Sequence, residues 1–370
     1  MSTFLFTALG FLFVLAVVVI VHEFGHYIVG RWCGVEVTTF SIGFGPELFG
    51  WTDKQGTRWR VAAVPLGGYV KFLGDANAAS APDADAVAAM PAEQRARSFP
   101  EKSIGQRAAI VAAGPIANFL LAIVIFAATA YFVGSAMLAP RVAAVLPDSA
   151  AAAAGIQVGD VIESIDGQPI AGFSDIQRIV SQKAEIPLAI VVNRSGSSLQ
   201  LTATPTLKTQ KTPLGTQRIG MLGLQASADP ADLRVRHYGP LEAIGVGASE
   251  TWQIVERSGA YFAGLFAGKE SIDQMAGLPR IAMVSGQAAK AGFVPLITLA
   301  AILSVSIGLV NLVPIPMLDG GHLMFYLVEW ARGRPLSERI QEYGFRIGLA
   351  LVLMLMLFVT WNDIVAIRAG

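Results

Sequence analysis

The stretch VVVIVHEFGHYIVG, residues 17–30, places two histidines and a glutamate inside a run otherwise suited to hydrocarbon. Ionisable groups at membrane depth are costly, face a partner or a wet cavity, and serve function by default. His22, Glu23 and His26 therefore raise two questions. Does the surrounding run cross a membrane, and what do these three groups meet there?

Composition answers the first. The chain has 370 residues, 54% hydrophobic and 15% charged, with mean hydropathy +0.55. Soluble globular proteins carry about 25% charged residues. Residues 1–21 carry no charge, so the start lacks the basic region of a secretory signal. The apolar run continues past HEFGH and reads as a retained span. Four blocks reach the roughly 20 apolar residues a spanning helix needs: 4–29, 108–133, 293–313 and 345–361. A fifth, 240–268, is interrupted by Glu242, Glu250, Glu256 and Arg257 and reads as an amphipathic helix. Net charge is zero, which supplies no field for nucleic acid. A single cysteine, Cys33, excludes an intramolecular disulfide framework and a thiolate cluster.

Lys and Arg near span ends orient the chain. Arg31, the group Arg95, Arg97, Lys102 and Arg107, and the group Arg332, Arg334, Arg339 and Arg346 all fall on one side of four spans. That side is expected to be the cytoplasm, with 134–292 and both termini outward; Arg368 is an exception. The expected fold is a polytopic α-helical membrane protein. It has four transmembrane helices, a cytoplasmic β-rich segment, and an outward α+β domain inserted between spans 2 and 3.

In order, residues 1–30 are span 1 with HEFGH, and 31–107 the cytoplasmic β-loop region of short strands. Span 2 is 108–134, the α+β domain 140–225, and 226–292 amphipathic helices. Span 3 is 293–322 and span 4 is 345–362. Within 31–107, the Ala-, Asp- and Pro-containing stretch 75–97 reads as a flexible loop. Within 140–225, FSDIQRIVSQ reads as an amphipathic helix, and PLAIVVNRSGSSLQLTATP as a hairpin turning at Ser195-Gly196.

The chemistry follows from spacing. Residues four apart on a helix share a face, so His22 and His26 can reach one metal. H-E-x-x-H pairs those imidazoles with a glutamate that serves as general base. Imidazole nitrogens suit Zn²⁺, whose catalytic sites keep one position open. A third ligand is needed. NLVPIPMLDGGH, residues 311–322, breaks the third apolar block with Pro314 and Pro316, irregularity that membranes tolerate only inside protein or beside a cavity. Asp319 is the preferred third ligand; His322 is the alternative, and a turn or helix cap the other reading of Asp319. His237, in polar RVRHYGP, reads as a surface residue. At 1.5 Å per residue, His22 lies roughly 27 Å along span 1. Asp319 matches that depth only if spans 1 and 3 run the same way, as four crossings require.

HEFGH and NLVPIPMLDGG resemble the site-2 protease family of intramembrane zinc metalloproteases. GQRAAIVAAGPIANF (105–119), SIGFGP (41–46) and VPLGGYVKFLGD (64–75) are similar to its bacterial regulator-of-sigma-E protease (RseP) branch, as is the single PDZ-like domain. The resemblance implies peptide hydrolysis in the plane of the membrane, with His22, His26 and Asp319 as zinc ligands and Glu23 as base. It implies that Asn311 engages the substrate backbone. It also implies that the loops around Gly43, Phe44, Gly45, Gly67, Gly68 and Tyr69 lie beside the active site, where a strand edge could capture unwound substrate. Pro115 and Asn118 match a second-span motif expected to pack against the catalytic core.

Expected partners are the lipid bilayer and single-span membrane proteins, such as an anti-sigma factor or a signal-peptide remnant. The expected location is the bacterial inner membrane, with the PDZ domain periplasmic. That domain either recruits a C-terminal peptide, docking it along IGMLGL (219–224), or excludes uncut substrates. Some relatives carry two PDZ domains where this chain has room for one. Gly277-Leu278-Pro279 stands where the family often has Gly-Pro-Ile. Two other classes compete: a non-catalytic PDZ membrane scaffold, which would not need Glu23, and a transporter, for which no inverted repeat of the HEFGH segment is visible.

Overall fold

A computed structural model describes residues 3–76, 84–212, 215–227, 229, 232–268, 277–334 and 336–369. The chain begins with α1 (Thr3–Trp32), β1 (Val37–Thr52), β2 (Arg58–Phe72), α2 (Ala84–Ala88), α3 (Ala92–Arg95) and α4 (Ile104–Phe132). There follow β3 (Ser135–Leu138), β4 (Val142–Val145), α5 (Ala150–Ala153), β5 (Val161–Ile165), β6 (Gln168–Pro169), α6 (Phe173–Gln182), β7 (Leu188–Arg194) and β8 (Ser197–Ala203). The remainder comprises β9 (Thr206–Thr212), β10 (Gly215–Met221), β11 (Leu224–Ala226), β12 (Leu233–Arg236), α7 (Pro240–Phe266), α8 (Leu278–Ala291), α9 (Phe293–Asn311), α10 (Asp319–Arg332) and α11 (Glu338–Ala369). Two units form: Met1–Ala128 with Ala243–Gly259 and Ile272–Gly370, and Thr129–Glu242 with Ala260–Ser271.

Four helices are long and apolar enough to cross a membrane: Phe4–Trp32, Ile104–Phe132, Phe293–Asn311 and Arg339–Val365. These match the four apolar blocks of the sequence. The acid-interrupted α7 is not among them. Small residues let these helices meet closely. A Cβ on Gly25 of α1 would lie 2.3 Å from the Ala113 carbonyl oxygen of α4. One buried cluster joins Tyr27, Phe40, Val70, Phe72, Ile110 and Tyr326, so α1, β1, β2, α4 and α10 share a core. A second joins Ala122, Ile125, Ala301 and Val305 of α4 and α9.

The region 31–107 departs from its expected short strands. β1 and β2 run 16 and 15 residues and pair antiparallel through repeated register shifts. Gly43, Gly45 and Gly67 take φ of 91°, 86° and 154°, values open to glycine, so the bulged chain keeps pairing where other residues would end it. Of the expected loop 75–97, residues 77–83 lie outside the described residues. The described part holds the short helices α2 and α3.

The second unit is α+β. A four-stranded antiparallel sheet, β6-β5-β7-β8, is joined by the pairs β9–β10, β4–β11 and β3–β12. The hairpin turns at Ser195-Gly196, both with positive φ as a type I′ turn demands. Helix α6 buries Phe173, Ile176, Ile179 and Val180, an i, i+3, i+6, i+7 stripe, against Ile162, Ile190 and Val192 of the sheet. Its first turn is held by Asp175, which accepts from Ala171 and Gly172 N–H. IGMLGL is not one strand: it splits between β10 and β11, with Gly223 at φ 80° between them. The stretch 226–292, expected to hold amphipathic helices, contains α7 and α8 but also strand β12.

Span 3, drawn as one segment over 293–322, is two elements. α9 stops at Asn311, and Asp319 opens α10. Pro314 and Pro316 lack the N–H groups a continuing helix would use. The chain between folds back instead: Cβ atoms on Gly320 would lie 2.4 Å from both the Leu312 and Val313 oxygens, and on Gly321 2.4 Å from the Ile315 oxygen. Both positions are therefore closed to any larger residue.

Candidate metal centre

α1 carries His22, Glu23 and His26 one turn apart near its C-terminal end. The two imidazoles meet edge to face, with centroids 4.9 Å apart and Nε2 atoms separated by 3.2 Å. Asp319, the first residue of α10, completes the cluster. Its Oδ2 is 3.2 Å from His22 Nε2 and its Oδ1 3.6 Å from His26 Nε2. The three candidate ligand atoms lie within 4.8 Å of one another, in the one such cluster among the described residues. The alternative ligand His322 is not in it; its ring lies 5.3 Å from that of Phe345. His237 is exposed, as a surface residue should be.

Hydrogen bonding tests whether this set suits a metal. His26 Nδ1 lies 2.9 Å from the Ile110 carbonyl oxygen, which can only accept. Nδ1 therefore carries the proton, and Nε2 presents a bare lone pair. Asp319 Oδ2 is buried, and His22 Nε2, 3.2 Å away, is not aligned to donate to it. A bare imidazole nitrogen and an orphaned carboxylate oxygen aimed at one point repel unless a cation lies between them. Two neutral imidazoles and one carboxylate form a donor set that suits zinc, with a fourth position free for chemistry.

The local sequence explains how three elements bring these groups together. α4 passes against the histidines at Gly114. A Cβ there would fall 2.3 Å from His26 Nε2 and 2.9 Å from His22 Cε1. Pro115 follows inside the helix, and its missing N–H leaves the Val111 carbonyl without its usual helical donor. On the other side, Met317 holds φ 89° two residues before Asp319. A non-glycine residue there costs about 1–3 kcal/mol and persists only where the surroundings impose it.

Glu23 is half-buried beside β2. A Cβ on Gly68 would lie 3.1 Å from Glu23 Cγ and 2.8 Å from the Ser41 oxygen. Gly68 pairs with Ile42, and Phe44 with Val64, so SIGFGP and PLGGY meet in one bulged ribbon. Phe44 stacks on Tyr69 at 6.0 Å and 18°, and Phe44 is 42% exposed. Gly67 admits the Phe44 ring, which a Cβ there would meet at 2.5 Å. Gly68 is thus brought to the glutamate, while Gly43 and Gly45 shape the ribbon. Asn311 is the last residue of α9, half-buried at the start of the break.

Sequence reading missed Gly114 and the Ile110 carbonyl. A glycine before a proline within an apolar helix was the available signal for the first; a backbone oxygen leaves none. Asn118, expected only to pack, is fully buried with its side-chain amide 3.2 Å from His22 Nδ1.

Comparison with known proteins gives the family. The profile of peptidase family M50 matches residues 10–355. A Rhizobium meliloti (strain 1021) protein named as a zinc metalloprotease is 52% identical over 360 residues, covering 97% of this chain and 96% of its own. Metalloprotease MmpA of Caulobacter vibrioides is 42% identical, covering 98% and 96%. Regulator of sigma-E protease RseP of Escherichia coli is 32% identical, covering 98% and 99%. The chain is a zinc metalloprotease and belongs to peptidase family M50, the site-2 protease family.

Proposed function

We propose that the protein is an intramembrane endopeptidase that cuts single-span membrane proteins, as the second cut of regulated intramembrane proteolysis. The observation that carries this is where the cluster lies. Two of its groups sit on a helix apolar enough to span a membrane, and the third follows directly on the break that ends another. His22, His26 and Asp319 would hold the zinc, and Glu23 would be the base.

Bound zinc polarises the scissile carbonyl and makes a water nucleophilic at neutral pH. Glu23 takes a proton from the attacking water and passes it to the departing amide nitrogen, as the C–O bond forms and the C–N bond breaks. A helical substrate keeps its carbonyls hydrogen-bonded internally and must be unwound first. The ribbon around Gly43–Gly45 and Gly67–Tyr69 supplies an edge on which an extended segment can pair. Asn311, at the end of α9, would hold that segment's backbone.

The α+β domain of the second unit reads as a PDZ domain. A groove of about 640 Å³ lies between α6 and residues 219–224, lined by Ile176, Gln177, Val180, Met221 and Leu224. It supports recruitment of a C-terminal peptide over simple exclusion of uncut substrates. The charge pattern favours the bacterial inner membrane, with this domain periplasmic and the zinc near the cytoplasmic side. Anti-sigma factors and signal-peptide remnants are the substrate classes that fit.

The test is reconstitution with a single-span substrate. Glu23→Gln should retain zinc and lose activity by roughly 10²- to 10⁴-fold. Cleavage at the parent rate with zinc bound would overturn the assignment of the base. Undiminished zinc in His22→Ala or Asp319→Ala would overturn the ligand set.

A further inference from the structure

Both imidazoles of the metal centre are oriented from α4. The Ile110 carbonyl fixes His26 as a Nδ1–H tautomer. His22 Nδ1 faces the Asn118 side-chain amide, with Nδ2 the nearer atom at 3.2 Å and Oδ1 buried without a hydrogen-bond partner. In that orientation Nδ2 donates, Nδ1 must accept, and the His22 proton sits on Nε2. Such a ring has no lone pair to offer at the cluster. Amide oxygen and nitrogen have nearly the same shape, and the network decides which way the group faces. With the amide turned over, Oδ1 accepts from His22 Nδ1–H, Nδ2 takes the unpartnered place, and Nε2 is bare like that of His26.

We infer that Asn118 is a positioning residue that holds His22 in its metal-binding tautomer and ring orientation through an Nδ1–H···Oδ1 hydrogen bond. The inference rests on the reading of His22, His26 and Asp319 as the zinc ligands. Asn118 is well placed for this. It is fully buried, and Ser304 Oγ of α9 donates to its backbone carbonyl at 2.9 Å. Gly308, one turn further along α9, would place a Cβ 3.4 Å from Asn118 Cβ. α9 thus seats Asn118, and Asn118 seats the ring. Partners of ligating histidines act by fixing tautomer and orientation and by raising ligand basicity.

The experiment measures zinc affinity of the purified full-length protein by competition with a chelator. Asn118→Leu, of similar volume but unable to accept, should bind zinc roughly 10- to 100-fold more weakly. Asn118→Asp, which can only accept, should keep the parent affinity or exceed it. Thermal midpoints are read with and without zinc, and the loss in Asn118→Leu should appear chiefly in the zinc-loaded form. Parent affinity in Asn118→Leu, zinc loss in Asn118→Asp, or equal destabilisation with and without zinc would each overturn the inference. If Asn118→Leu does not fold, Asn118→Asp alone decides. His22→Ala separates the two readings: full zinc affinity there removes the ligand set itself, whereas zinc lost there but kept in Asn118→Leu removes only the role of Asn118.

Discussion

A single missing carbon leaves room for the two imidazoles beside α4. Gly114 has no Cβ, and any Cβ would occupy the space of His26 Nε2 at 2.3 Å. Gly114→Ala should therefore lower zinc stoichiometry well below one, read by elemental analysis. Alanine favours a helix over glycine by about 1 kcal/mol, so circular dichroism should show no loss of helix. Full zinc occupancy in this variant would mean α4 can shift away at little cost. The pair His22 and His26 was legible because four-residue spacing makes a helix face without knowledge of the fold. Asp319 was legible because prolines in an apolar block need a reason. The sequence preferred it to His322, three residues on, and the fold brings Asp319 and not His322 into the cluster with the two histidines.

At the scale of elements, α8 shows how a distant side chain can start a helix. Its N-cap, Gly277, offers no side chain. Asp363 of α11 accepts instead from Gly277 N–H at 2.9 Å and Arg280 N–H at 3.1 Å, and pairs with the Arg280 guanidinium at 3.0 Å. α8 also packs tightly on α1, where a Cβ on Gly286 would fall 2.4 Å from Thr7 Oγ1 and one on Gly10 2.6 Å from the Ser285 oxygen. Asp363→Ala leaves two amide donors and an arginine without their acceptor. It should cost about 2 kcal/mol, below the 3–5 expected for a fully buried pair because the Arg280 side chain is 27% exposed. Asp363→Asn, which still caps, should cost less; denaturation in detergent compares them. The same cost in both would assign the effect to the ion pair alone. None of this was readable from Gly277-Leu278-Pro279, whose partner lies more than 80 residues downstream.

At the scale of the whole molecule, the second unit should answer to acid through one buried carboxylate. There, Asp160 is 1% exposed and accepts from Arg194 Nε at 2.8 Å, Arg194 Nη2 at 2.7 Å and Gln157 N–H at 2.9 Å. The Arg194 hydrogen bonds, and then that from Gln157, hold its carboxyl below the usual carboxylate range. A depressed folded-state value means stability that is complete above the unfolded-state value of about 3.9 and is lost as pH falls through the folded one. Hydrogen exchange of the full chain should therefore show β5 and β7 losing protection below about pH 4. In Asp160→Asn that acid sensitivity should be reduced, with lower protection at neutral pH. An unchanged acid profile in the variant would assign the sensitivity to other carboxylates.

Membrane orientation is tested on the same scale. With Cys33 replaced by serine, a cysteine at Ser195 should react with an impermeant maleimide added outside spheroplasts. One at Glu93 should react only after the membrane is opened. Both reacting from outside would break the four-span orientation.

The four helices long and apolar enough to cross a membrane and the HEFGH face were set by the sequence, because hydrophobic length and four-residue spacing are local properties that hold whatever surrounds them. Tertiary structure alone decided the rest of the centre. It brought Asp319 and not His322 into the cluster, set Gly114 against both imidazoles, and aimed the Ile110 carbonyl and the Asn118 amide at the two rings. It also drew β1 and β2 into one long bulged ribbon that carries Gly68 to Glu23. The contacts at the centre join residues about 45 to 300 positions apart. Their distances depend on how helices and strands close on one another, which no local pattern of residues records.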